Sequence, residues 1–147
     1  MVITFDFDDT LRLTKLLRDE EGDITGEIDY TDDQNPVVFP EFEAALNRGD
    51  EVHIVTSRMG SKKTKEKMQE WLLKQGISRL PPIHFTEGQL KHDTLERLGS
   101  EQHFDDDPEE LAHLPEGCRG VRAPLHPSWT EPMREAHVRQ WVRTLLS

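Results

Sequence analysis

Near the amino terminus, Asp6-Phe7-Asp8-Asp9-Thr10 places two carboxylates at i and i+2 directly after the apolar run Val2-Ile3-Thr4-Phe5. At a strand end, where the chain turns, such a pair can face one site. Asp and Thr at that position also form turns and cap helices, so the rest of the chain has to decide between the two readings. Thr56, followed by Ser57 and Arg58, closes a second apolar run, Val52-His53-Ile54-Val55. A hydroxyl there could hold a phosphoryl oxygen or serve as an ordinary N-cap. Lys91 stands at a predicted helix start, where a lone lysine is usually solvated. Asp105-Asp106-Asp107 follows the short run Gln102-His103-Phe104 and precedes Pro108. Three adjacent acids repel one another unless solvent, a lysine or a cation offsets their charge, which favours a hard-metal site.

The elements that must position these residues follow from hydrophobic patterning. Val2–Phe5, Val52–Val55, Ile83–Phe85, Gln102–Phe104 and Gly120–Arg122 read as strands. Between them, Phe42, Ala45 and Leu46 after Pro40, the set Met68, Trp71 and Leu72, and the stretch Leu90 to Leu98 read as helices, as do Val138, Trp141, Val142 and Leu145 near the carboxyl terminus. Gly49 and Gly99 are placed to stop two of them. Strands joined by helices predict an α/β domain, a three-layer Rossmann-like arrangement around a mainly parallel sheet. The segment around residues 13–31 breaks the rhythm. Two runs flank Glu20-Glu21-Gly22-Asp23, and Ile24, Ile28 and Tyr30 fall on one side of an extended chain, so a small β-hairpin flap is predicted after the first strand. In a parallel sheet the acid pair, hydroxyl, lysine and acid cluster meet at one edge and converge on one pocket.

With 147 residues the chain is predicted to form one domain, residues 1–147. The formal net charge of −11 argues against stable binding of duplex DNA or an anionic membrane by charge alone. No apolar stretch approaches the roughly 20 residues that span a bilayer, and the chain opens on a strand-like run. Cys118 is the single cysteine, so no internal disulfide forms. A cytoplasmic protein is the expectation.

On Phe5-Asp6-Phe7-Asp8-Asp9-Thr10-Leu11, Thr56, Lys91 and His103-Phe104-Asp105-Asp106-Asp107-Pro108, the sequence resembles the haloacid dehalogenase superfamily over nearly its whole length. The resemblance implies a Mg²⁺-dependent phosphomonoester hydrolase with Asp6 as nucleophile and Asp8 as general acid and base. It implies a metal held by Asp6, the Asp8 backbone carbonyl and Asp106, with Asp105 in support. Phosphoryl oxygens would be held by Thr56, Lys91 and backbone donors near Phe7 and Asp8, with Ser57 beside them, while Thr10 fixes the loop. In this family, specificity comes largely from inserted caps. Here the first insertion accommodates only the hairpin and the second, Met59 to Gln75, reads as a plain helix. A minimal cap resembles that of members acting on exposed phosphates such as polynucleotide 3′-ends, nucleotides or phosphoproteins, although some small-cap members take small metabolites.

Arg58, Lys62, Lys63, Lys65 and Lys67 could guide a polyanion or form a solvated helix start paired with Glu66 and Glu70. Arg119, Arg122 and Arg134 are further candidates for substrate clamps, and His92, beside Lys91, for a group that reaches the site. Two alternatives of other classes are a phospho-accepting signalling domain and a non-catalytic metal-binding domain.

Overall fold

A computed structural model describes residues 1–18 and 24–124. The Glu20–Asp23 turn, the apolar set ending at Leu145, and Arg134 lie outside these residues. Strands β1 (Val2–Phe5), β2 (Arg12–Arg18) and β3 (Ile24–Gln34) come first, followed by helix α1 (Val38–Arg48) and strand β4 (Glu51–Thr56). Helix α2 (Lys62–Lys74), strand β5 (Ile83–Phe85), helix α3 (His92–Leu98), strand β6 (Gln102–Asp105), helix α4 (Pro108–Ala112) and strand β7 (Arg119–Arg122) complete the order.

β1, β4, β5, β6 and β7 form one parallel sheet in the spatial order β5-β4-β1-β6-β7. Counted along the chain among sheet strands alone, this is 3-2-1-4-5. The order reverses at β1, whose neighbours are β4 and β6, and open α/β sheets bind ligands outside the carboxyl ends of the strands at such a switch point. The register brings the relevant ends level. Phe5 pairs with Ile54 and with Phe104, and the Asp6 N–H donates to the Phe104 carbonyl at 2.9 Å. Asp6, Thr56 and Asp105 therefore emerge along a common edge.

β2 and β3 form the separate antiparallel hairpin, which runs from Arg12 to Gln34 and so exceeds the predicted 13–31 at both ends. Asn35 ties it down. The Asn35 N–H donates to the Leu11 carbonyl at 2.8 Å, and its Nδ2 donates to the carbonyls of Pro124 at 3.1 Å and Asp9 at 3.4 Å. Its Oδ1 accepts from the N–H groups of Val37 and Val38, satisfying donors at the start of α1. α1 begins at Val38, ahead of the expected start after Pro40. A proline at the third helical position forfeits no intrahelical bond, because the first four N–H groups have no partner within the helix. Gly49 and Gly99 adopt φ of 81° and 70° at the ends of α1 and α3, the left-handed closure expected of them.

The core is aromatic where it supports the site. Phe5 stacks on Phe104 at 4.7 Å between ring centroids and meets Phe42 edge-on at 5.2 Å. Phe7 and Phe39 each meet the Trp71 ring edge-on, at 5.5 Å and 5.7 Å. Met68, Trp71 and Leu72 form the buried face of α2, as their spacing predicts. The middle residue of Asp6-Phe7-Asp8 is thereby anchored in the core, with no surface of Phe7 exposed. No helix among the described residues is long and apolar enough to cross a membrane.

Candidate active site

The loop after β1 turns tightly around one carbonyl. Phe7 O accepts from the N–H groups of Thr10, Leu11 and Arg12, and the Asp9 N–H donates to the Arg12 carbonyl at 2.7 Å. Asp9 pays for the turn with φ of 61°, a left-handed conformation that Asp tolerates better than most side chains. With Phe7 held against Trp71, the side chains of Asp6 and Asp8 are presented separately by a fixed backbone.

Asp6 lies on the floor of the site, 2% exposed. Its Oδ1 accepts from Lys91 Nζ at 2.9 Å and its Oδ2 from the Thr10 hydroxyl at 3.0 Å. Thr10 Oγ1 also lies 3.2 Å from Asp106 Oδ1, so the hydroxyl links β1's loop to the end of β6. Lys91 Nζ donates to Asp105 Oδ2 at 2.7 Å as well, and the ammonium is as buried as the acids it joins. The Lys91 N–H donates to Glu110 Oε2 at 2.9 Å, so α4 positions the lysine from behind. Lys91 is thus withdrawn from solvent, against the usual fate of a lysine at a helix start.

Behind Asp105 runs a buried polar chain. His103 Nε2 is 2.8 Å from Asp105 Oδ2, and its Nδ1 is 2.8 Å from Thr4 Oγ1. Thr4 Oγ1 is 2.8 Å from Ser100 Oγ, which accepts from the Cys118 thiol at 3.5 Å. An ionised carboxylate only accepts, so His103 donates through Nε2 and accepts from Thr4 through Nδ1. Burial holds the His103 pKa below its ordinary value, against the opposing pull of Asp105, in keeping with a neutral ring.

Burial alone would raise the Asp105 carboxyl, but the Lys91 ammonium and His103 hold it far below the usual carboxylate range. Burial alone would lower Lys91, but Asp105, Asp6 and Glu110 hold it above its ordinary value. Asp6 is pushed up to about 7, first by burial and then by the charge of Asp105, with Lys91 opposing. Asp106 is raised well above the ordinary range by burial and by the charges of Asp6 and Asp105.

Oxygen atoms of Asp6, Asp105 and Asp106 lie within 4.8 Å of one another. Fully ionised, these three carboxylates outnumber the one ammonium by two, which is why burial and mutual repulsion raise Asp6 and Asp106; the donors are all hard oxygens, a set that fits a divalent cation such as Mg²⁺. Asp107, the third acid of the run, instead caps α4 by accepting from the Glu109 N–H at 2.9 Å. Its Oδ2 is the one buried side-chain polar atom without a hydrogen-bond partner among the described residues.

Asp8 and Arg58 form the rim. Arg58 Nε donates to Asp8 Oδ2 at 2.7 Å and Nη2 to Oδ1 at 2.6 Å, a two-pronged pair whose side chains are 16% and 17% exposed. The guanidinium also lies 5.3 Å from the centroid of the Phe7 ring. Thr56 is buried at the end of β4, and its Oγ1 accepts from the Arg58 N–H at 3.3 Å. Ser57 is half-buried and its carbonyl accepts from the Gly88 N–H at 2.9 Å.

Of the residues singled out in the sequence, Asp6, Thr10, Lys91, Asp105 and Asp106 come together, with Asp8 and Thr56 bordering them through Arg58. His92 does not join them. It is partly exposed and faces Asp93 at 3.1 Å and Glu96 at 3.7 Å. Lys62 pairs with Glu66 at 3.9 Å on the surface of α2. Arg119 and Arg122 are exposed on β7. Sequence reasoning missed Thr4, His103 and Glu110. The first two were signalled by polar residues inside otherwise apolar strand runs, whereas Glu110 carried no pattern of its own. No protein-family model matches the chain, and no curated protein matches it.

Proposed function

We propose that the chain is a Mg²⁺-dependent phosphomonoester hydrolase that works through an aspartyl-phosphate on Asp6, built as a single three-layer Rossmann-like domain with a hairpin flap. One observation carries this reading. Asp6 sits at the switch point of the sheet, joined by a buried lysine to an acid from a strand about a hundred residues later, with a second such acid beside it.

In the proposed reaction an Asp6 carboxylate oxygen attacks phosphorus as the bond to the leaving oxygen breaks, and Asp8 gives that oxygen its proton. A water then attacks phosphorus, Asp8 takes the water's proton, and inorganic phosphate leaves as the Asp6 carboxylate is restored. Lys91 holds the Asp6 carboxyl in place and, with the Thr56 hydroxyl, offers donors to the phosphoryl oxygens. Arg58 holds Asp8 at the rim as a carboxylate, and this pair opens in the reaction to let Asp8 carry the proton. Asp6, Asp106, the Asp8 carbonyl and, in support, Asp105 would hold Mg²⁺, which when bound supplies charge neutralisation for an anionic nucleophile meeting an anionic group. The strand order 3-2-1-4-5 favours this reading over a phospho-accepting receiver domain, whose flavodoxin-like order is 2-1-3-4-5.

The test is phosphate release from a panel of aryl, sugar, nucleotide, oligonucleotide and peptide phosphates with Mg²⁺ or with EDTA. Release should require the metal and fall at least about a thousandfold in Asp6→Asn. Undiminished release by that folded variant would sink the nucleophile assignment.

A further inference from the structure

A cavity of about 520 Å³ opens beside the rim of the site, lined by Arg12, Arg58, Met59, Thr64 and Lys67. Arg58 belongs to both places, since its guanidinium grips Asp8 while its side chain lines the cavity. Arg12 is locked to the nucleophile loop, its N–H donating to the Phe7 carbonyl and its own carbonyl accepting from Asp9. Its guanidinium lies 5.6 Å from the Trp71 ring centroid. Thr64 and Lys67 are three residues apart on α2 and share a stripe with Trp71.

The charge of this wall runs against the rest of the chain. Aspartates and glutamates number 29 against 18 lysines and arginines overall, yet the described residues lining the cavity include three cations, of which Arg58 is paired with Asp8 at the rim, and no acid. The first turn of α2, from which Thr64 lines the cavity, carries Lys62, Lys63 and Lys65 with no acidic residue, although the positive end of a helix disfavours cations, and Lys62 pairs with Glu66 one turn on. Such an arrangement is stabilised when an anion occupies the space between. Exposed Met59 adds an apolar lip.

Resting on the phosphomonoesterase reading, we infer that this cavity is a second anion subsite. Its occupant is a phosphate or phosphodiester group of an organic substrate whose other, terminal phosphate reaches Asp6. The preferred substrates are then phosphomonoesters carrying a second phosphate, either a nucleoside bisphosphate or the phosphorylated end of an oligonucleotide.

The experiment compares kcat/KM for adenosine 3′-phosphate, adenosine 5′-phosphate, adenosine 3′,5′-bisphosphate, and dinucleotides phosphorylated at either end, in wild type, Lys67→Gln and Arg12→Gln. Lys67 is exposed, so its replacement leaves packing intact. The second phosphate should raise kcat/KM about tenfold or more in wild type, and each variant should reduce that ratio severalfold. A stronger effect from the bisphosphate or from the dinucleotides identifies which source the subsite accepts. Equal kcat/KM for one- and two-phosphate compounds would overturn the subsite while leaving the hydrolase reading intact. If nothing is hydrolysed, the hydrolase reading fails, and calorimetric titration with the bisphosphate decides the subsite separately. Weaker binding by Lys67→Gln than by wild type supports it, and equal or absent binding overturns it.

Discussion

Lys91 has no surface role to fall back on, because its ammonium lies between two buried carboxylates. Replacing it with methionine leaves Asp6 and Asp105 facing each other without their cation, and breaking a buried pair from one side typically costs about 3–5 kcal/mol. Urea unfolding of Lys91→Met should show a loss of that order, and adding Asp105→Asn should recover part of it. A double variant no more stable than the single one would mean the ion pair is not what holds this position. That Lys91 would meet the acid motifs at one sheet edge was expected from the sequence, but its burial and its pairing with Asp6 and Asp105 were not, since a lone lysine before a helix carries no periodicity and its burial depends on a strand still to come. The acid motifs were legible because they follow apolar runs whose ends the register then brings level. Arg58 was read as part of a basic stretch, and its grip on Asp8 arises only because β1 and β4 are neighbours.

Among the elements, the five sheet strands were visible as short apolar runs bounded by turn residues, and the structure extends them by one residue at most at either end. α4 was not visible, because the five residues Pro108–Ala112 are too few to show a period. It packs closely on β7, where a Cβ on Gly120 would lie 3.0 Å from Leu111 Cδ2. α3 starts at His92, two residues later than the pattern from Leu90 suggested. Asn35 joins the hairpin, the loop after β1, α1 and the segment after β7, so Asn35→Ala strands several buried backbone groups together. A loss of about 1–3 kcal/mol in urea unfolding is expected. At the sheet edge, His53 Nδ1 and His84 Nε2 lie 2.9 Å apart across β4 and β5. Partial burial, then His53 and Arg97, holds His84 below the usual histidine value. The stability it contributes is full above about pH 6.5 and is lost as pH falls through the lower folded-state pKa. The raised carboxyls of Asp6 and Asp106 act in the opposite sense, so the informative quantity is a difference between proteins. Between about pH 8 and about pH 5.5 the thermal midpoint of wild type should fall further than that of His84→Asn. Parallel curves would remove the histidine pair from the account.

For the molecule as a whole, excess negative charge is the dominant electrostatic fact, at −11 overall and with three carboxyl groups to one ammonium within the acid cluster. A divalent cation bound only by the folded chain should therefore raise the thermal midpoint. At about a hundredfold excess over Kd such binding contributes about 2.7 kcal/mol. The shift should appear with Mg²⁺ in calorimetric or fluorescence melting, vanish with EDTA, and be lost in Asp106→Asn; an equal shift in that variant would place the ion elsewhere. The α/β class was readable from alternating runs of two periods, but the neighbours of each strand were not, because strand order is decided by long-range packing. That order also dictates when the molecule can become itself. β1 leaves a ribosome well before β6, yet it must pair with β6, where Thr4 meets His103 across 99 positions of chain. Until that partner has been synthesised the loop after β1 has one flank open and Asp6 lacks its ammonium. Closing so large a loop is slow, so refolding should lag far behind that of helical proteins of the same size, and a nascent chain halted before residue 91 should carry the first motif without any working site.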